Sequence, residues 1–271
     1  MTDIGAQFRG LHVPGKPFIL ANAWDIGSAR MLAALGAQAL ATSSAAHAFT
    51  LGKPDGGTLT RDAALAHAQD IVAATPLPVQ GDFENGFGDD PETCAETVKL
   101  AAEVGLAGIC IEDIALPSDN AYDFDLSVER IKAATAAARA LPNDFVLTAR
   151  ADGILRSVYD NDEAIRRLQA YEAAGADCLY APMPKTMDDL AKLTQSVSTP
   201  VNALIAGPYT QSDVASFAKL NVARLSLGSS LARITHRAIY DAAKEMFEDG
   251  GFTLLGKGIS SDKVDALLSL E

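Results

Sequence analysis

Two carboxylates set the chemical question in this chain. In the stretch Pro78–Gly88, PVQGDFENGFG, an apolar start gives way to Asp82 and Glu84, and Gly86 and Gly88 close the run. Residues two apart on a strand point to one side. Both acids are therefore expected to face one cavity where a strand ends. The glycines let the backbone turn sharply and approach a ligand closely. Two carboxylates on one side repel each other unless a proton or a cation lies between them. Hard oxygen ligands of this kind suit Mg²⁺ or Mn²⁺ better than zinc.

Such a pair needs a scaffold, and the rest of the chain supplies a rhythm of short β-like and longer helix-like runs. Strands are expected at Phe18–Ala23, Ala39–Ser43, Pro78–Asp82, Gly108–Glu112, Phe145–Arg150, Cys178–Ala181, Pro200–Leu204 and Arg224–Leu227. Alanine-rich amphipathic helices are expected at Gly27–Leu35, Arg61–Ala74, Pro91–Val104, Ser127–Ala140, Asp162–Ala174, Met187–Ser196, Gln211–Lys219 and Ser229–Glu248. Asp90-Pro91 reads as a cap and a first helical residue, and Thr60 as a second cap. Gly36, Gly105 and Gly175 suit left-handed helix ends. Residues 1–17 read as an irregular lead-in. Residues 251–271 read as a tail ending in a short helix, Asp262–Ser269, able to dock on the barrel or on another subunit.

Eight strand–helix units predict one (β/α)₈ barrel of the TIM type spanning residues 1–271. An open doubly wound sheet is the alternative, but no GxGxxG follows the first strand. In a barrel, chemistry sits where strands end. Those positions hold Asn22, Trp24 and Asp25; Ser43, Ser44 and Asp55; Asp82 and Glu84; Glu112 and Asp113; Arg150 and Asp152; and Asn202. The set describes a metal held by acids, with a cation and hydroxyls for an anionic ligand.

The net charge of −13 argues against nucleic acid or an anionic membrane as partner. It does not argue against an anionic small molecule, because a metal and arginines reverse the local sign. Cys94, Cys110 and Cys178 form no CxxC. With no signal peptide evident, they fit a reducing, cytoplasmic setting. No apolar run approaches a membrane span. Cys110 and Cys178 read as small core residues. His47, Tyr122 and Tyr159 are the proton-transfer candidates, and no residue stands out as the general acid.

SSAAHAFTLGKPDG, GDFENGFG, GICIED and LTAR, in that order, resemble the isocitrate lyase and phosphoenolpyruvate mutase superfamily over about residues 21–231. The resemblance implies a (β/α)₈ barrel whose last helix swaps between subunits of a dimer or, more usually, a homotetramer. It implies Mg²⁺ and a 2-oxo acid or its enolate. Asp82 would be the most direct metal ligand, with Glu84 and Glu112 holding the metal largely through water and Asp55 supporting the waters. Ser43 and Ser44 would bind the substrate carboxylate. Arg150 would pair with that carboxylate or with the enolate oxygen. Asn202 would help hold the substrate, and Trp24 would wall the pocket.

After the fourth strand, cleaving lyases of the superfamily carry a Lys-x-Cys-Gly-His loop. Here the sequence is EDIALPSDNAYDFDLSVERI, with no cysteine, lysine or histidine. That argues against isocitrate or methylisocitrate cleavage. The reading that follows is a Mg²⁺-dependent lyase or decarboxylase of a small 2-oxo acid, acting through a metal-stabilised enolate. The alternatives are a phosphoenolpyruvate mutase or phosphonopyruvate hydrolase, for which Ser118 and Asn120 are the relevant loop residues, and a non-catalytic 2-oxo acid binding barrel.

Overall fold

The computed structural model describes residues 3–269. Its strands are β1 (Phe18–Asn22), β2 (Ala39–Ala41), β3 (Val79–Asp82), β4 (Gly108–Glu112), β5 (Val146–Arg150), β6 (Cys178–Tyr180), β7 (Val201–Leu204) and β8 (Arg224–Ser226). Each pairs in parallel with its neighbours in sequence, and β8 pairs with β1 to close the barrel. The (β/α)₈ expectation holds, and the strands differ from their predicted bounds only at the ends.

The helices are α1 (Ile4–Gly10), α2 (Ile26–Ala34), α3 (Ser44–Thr50), α4 (Arg61–Ala73), α5 (Pro91–Glu103), α6 (Phe124–Arg139), α7 (Gly153–Arg156), α8 (Asn161–Ala173), α9 (Met187–Gln195), α10 (Val214–Lys219), α11 (Ser230–Lys244) and α12 (Ser261–Leu268). Local chemistry sets their ends as read: Asp90 accepts from Thr93 N–H, and Thr60 accepts from Ala63 N–H. Gly36, Gly105 and Gly175 all have positive φ. Ile71, Val98, Ile109, Leu147, Leu168 and Leu179 are among the side chains that fill the layer between strands and helices.

Besides short 3₁₀ turns at Gly207–Gln211 and Thr253–Lys257, four elements were not expected. The lead-in is helical, because Asp3 caps α1 through the N–H groups of Gly5 and Ala6. α1 plugs the lower mouth of the barrel, placing the fully buried Phe8 against Phe18, Leu20 and Val146. Gly5 hid this helix: its weak propensity is overridden by packing, since a Cβ there would lie 1.7 Å from the Asp144 carbonyl oxygen. α3 and α7 are short helices in βα loops. A hairpin pairs Ile114–Ala115 with Asn120–Ala121 above β4.

α11 buries Ala232 but leaves most of its large apolar residues off its own barrel. Ile234, Ile239 and Tyr240 are exposed, as is Phe247 just beyond it. The predicted tail helix is present as α12, and it packs on α2. The tail's final residues, 270 and 271, lie outside the described residues. Among the described residues no helix is long and apolar enough to cross a membrane.

Candidate active site

The upper ends of the strands surround a cavity of about 140 Å³. Asp55, Asp82, Glu84, Glu112, Arg150, Ser43, Ser44 and Asn202 all line it. The sequence-predicted set is thus brought together, with the exception of Trp24. That residue is partly buried outside the lining, where its carbonyl oxygen accepts from His67 and its N–H donates to Ser28. Asp25, another strand-end acid, caps α2 by accepting from Ser28 N–H.

The two acids reach the cavity by a different route from simple strand alternation. β3 ends at Asp82, and Phe83 turns wholly into the core. Glu84 then adopts a left-handed backbone, φ 47°. This is a strained conformation for a residue with a side chain, and it swings the carboxylate back over the strand end. Gly86, also left-handed, completes the turn.

Asp82 is held on all sides. One carboxylate oxygen accepts from the Ser44 N–H and hydroxyl at 2.9 and 2.8 Å. The other accepts from Arg150 at 2.9 Å and from the Cys110 thiol at 3.3 Å. Ser43 uses its oxygen to accept from Ala46 N–H, capping α3. Both serines thus organise α3 and Asp82 in addition to facing the cavity.

Arg150 contacts three carboxylates: Asp82, Glu112 at 3.1 Å and Asp152 at 2.7 Å. Its Nε and one Nη engage Asp152 in a two-pronged pair, which fixes the plane of the guanidinium. Asn202, fully buried, donates to Ser226 and accepts from Arg224 on the cavity floor.

The acids outnumber the cations. Burial, then repulsion from Asp152, raises the Glu112 carboxyl well above its usual range. Its Oε1 is buried with no hydrogen-bond partner. Burial, opposed by the Gly57 N–H and reinforced by Asp82 and Asp55, lifts Glu84 to about 7. Asp55 stands on an exposed turn with its carboxyl toward the cavity; burial there and repulsion from Asp82 raise it. Among the described residues no three acids, histidines or cysteines stand close enough to hold an ion unaided.

The proton-transfer candidates lie elsewhere. His47 is buried and stacked on His67, with ring centroids 3.8 Å apart. Tyr122 donates to Asp89, and Tyr159 to Asp113. Cys110 is buried, as its reading as a small core residue expects, and it also lines the cavity. Burial pushes its thiol up, as it does the Tyr180 phenol beside it. The lining also includes Gln80, Asp152, Arg156 and Arg224. Asp152 belongs to the strand-end set read from the sequence, and Gln80 and Cys110 carried a signal too: they stand two residues before Asp82 and Glu112, on the same side of their strands. Arg156 carried no such signal.

Fold and cavity together define a TIM-type barrel with an acid-and-arginine site at its upper face. The chain belongs to the phosphoenolpyruvate phosphomutase family, which matches residues 8–247, and so to the isocitrate lyase and phosphoenolpyruvate mutase superfamily. A solved structure from Burkholderia cenocepacia J2315, described as a lyase/mutase, superposes with a TM-score of 0.94 at 45% identity, covering 98% of this chain and 96% of that one. An uncharacterized protein of Mycobacterium tuberculosis is 37% identical over 82% of both chains. The 2,3-dimethylmalate lyase of Eubacterium barkeri is 30% identical over 72% of this chain and 68% of its own. The superfamily thus holds carbon–carbon lyases and decarboxylases as well as mutases.

Proposed function

We propose that this protein is a Mg²⁺-dependent carbon–carbon lyase or decarboxylase of a small 2-oxo acid that reacts through an enolate, with Mn²⁺ able to replace Mg²⁺. The observation that carries the reading is the uncompensated negative charge around one small cavity: Asp82, Glu84 and Glu112 converge there, with the Glu112 Oε1 orphaned. That donor set fits a hard cation that keeps part of its water shell. Asp82 would hold it most directly, with Glu84, Glu112 and Asp55 acting through water. Bound there, the ion would supply Lewis-acid polarisation of the 2-oxo group.

The chain's own residues do the rest. Arg150, its plane fixed by Asp152, places positive charge where the enolate oxygen or the substrate carboxylate lies. Ser43, whose oxygen only accepts from Ala46 N–H, offers its hydroxyl proton to the carboxylate, Ser44 would do so only by releasing Asp82, and Asn202 shapes the floor. Leu116, Leu155 and Leu204 line the walls and limit water. The short hairpin above β4 replaces a long gate, and Ser118 and Asn120 do not line the cavity. Phosphonopyruvate is therefore expected to give an unchanged ³¹P NMR spectrum with this protein.

A spectrophotometric screen of 2-oxo acids and malate-type acids, with Mg²⁺ and with EDTA, tests the reading. Turnover that stops in EDTA, and oxalate binding tighter than pyruvate, are the expected results. Turnover indifferent to EDTA sinks it. We also propose that the exposed apolar side of α11 is buried in a dimer or tetramer by another copy's barrel. A monomer by light scattering at micromolar concentration would contradict that.

A further inference from the structure

The cavity holds a cation that the reading above does not use. Arg156, at the end of α7, lines it together with Leu155 and Leu116. Its Nε–H is buried without a hydrogen-bond partner. One Nη reaches Asp119 on the hairpin at 3.2 Å. Asp119 is half exposed, so this pair is screened by water and worth little. Arg150, in contrast, is engaged by three carboxylates. Arg224 lies on the floor among the neutral partners Asn202, Gln80, Thr148 and His12. Of these three cavity arginines, Arg156 alone combines a partnerless N–H with a partner that an incoming ligand can displace. Its charge is felt within the site, where it offsets a small part of the rise in the Asp55 and Glu112 carboxyls.

We propose that Arg156 is the anchor for a second acid group on the substrate, so that the site selects small 2-oxo acids with two negative charges over those with one. The proposal rests on the enolate reading, in which Arg150 and the acids hold the reacting end. A carboxylate approaching Arg156 side-on takes the idle Nε–H and one Nη–H together, the two-pronged geometry guanidinium favours. In doing so it displaces Asp119 from the arginine. Arg156 is thus a specificity-determining residue at the far end of the substrate.

Calorimetric titrations in saturating Mg²⁺ with oxalate, pyruvate and 3,3-difluorooxaloacetate test this. Oxalate reports the reacting end alone; difluorooxaloacetate adds to pyruvate a distal carboxylate and two fluorines, and comparing wild type with Arg156→Gln holds the fluorines constant. Wild type should bind difluorooxaloacetate roughly tenfold or more tighter than pyruvate, the value of a charge-assisted pair. Arg156→Gln should lose that margin while keeping its oxalate affinity. Asp119→Asn, which frees Arg156, should widen the margin severalfold, a result that a purely structural latch would not give. An Arg156→Gln variant that keeps the margin overturns the proposal. So does a wild type that binds oxalate but shows no margin, in which case the enolate reading survives. If wild type binds none of the three ligands, the enolate reading falls and the proposal with it. If Arg156→Gln loses oxalate binding through misfolding, Asp119→Asn decides: a widened margin supports the proposal and an unchanged one overturns it.

Discussion

Glu112 and Asp113 are consecutive residues at the end of β4, and they meet opposite fates. Glu112 turns into the barrel, where one of its oxygens has no partner and other acids crowd it. Asp113 turns outward into a complete network. It pairs with Arg167 at 2.9 Å and accepts from Tyr159, Tyr171 and the Asp152 N–H. Both are almost fully buried. Burial therefore does not distinguish these two acids; what separates them is whether the surrounding groups satisfy the charge.

Removing the satisfied acid should cost the most in folding. Asp113→Ala takes from the buried Arg167 one of its two carboxylate partners, with Glu163 remaining, and strips Tyr159, Tyr171 and the Asp152 N–H of their acceptor; it is expected to lower stability by about 3–5 kcal/mol in urea unfolding. Retained stability would mean the outward network is not what holds β4, β5 and α8 together. Asp82→Ala should do the reverse: activity and Mg²⁺ affinity fall roughly 10²–10³-fold, as for loss of one transition-state contact, while the unfolding midpoint without metal changes little. Full activity in this variant would remove the site from the cavity altogether. A smaller effect is expected for Glu112→Gln, which relieves repulsion in the metal-free protein. Its melting temperature without metal should rise, and its gain on adding Mg²⁺ should shrink, as differential scanning fluorimetry would show.

The smallest effect is pH-dependent and falls outside both clusters. Burial and the nearby Arg224 hold His12 at about 3, and burial and His67 hold His47 at about 4. Both values lie below the unfolded value of about 6.5. Their neutral forms favour the folded state, so their contribution is complete above that value and is lost as pH falls from about 6.5 toward 4. A loss of about 1 kcal/mol or more across that window is expected, and His12→Gln should reduce it.

Much of this was legible in the sequence. Strand ends, glycine caps and the polar set at the upper face follow from local pattern, because a half-buried helix and a buried strand each leave a period. Asp82, Glu84, Glu112 and Arg150 were found because charge at a strand end is conspicuous. What escaped notice depends on tertiary contact. The α1 plug exists because Phe8 has a barrel mouth to fill. The left-handed turn at Glu84 replaces the strand alternation inferred from spacing. Arg156 lies in a loop, where an arginine is unremarkable until its neighbours are known. Trp24, a strand-end position to which the resemblance assigns the pocket wall, lies outside the cavity lining.

Gly57 links the two loops at the cavity mouth. A Cβ there would stand 3.1 Å from Leu116 and 3.3 Å from Pro117, and its N–H donates to Glu84. The turn bearing Asp55 and the hairpin bearing Asp119 therefore form one lintel rather than two independent flaps. Transplanting a longer loop from a relative into the hairpin alone would collide with this glycine's turn. An engineer wishing to widen the entrance would have to exchange residues 55–58 and 114–121 as a matched pair.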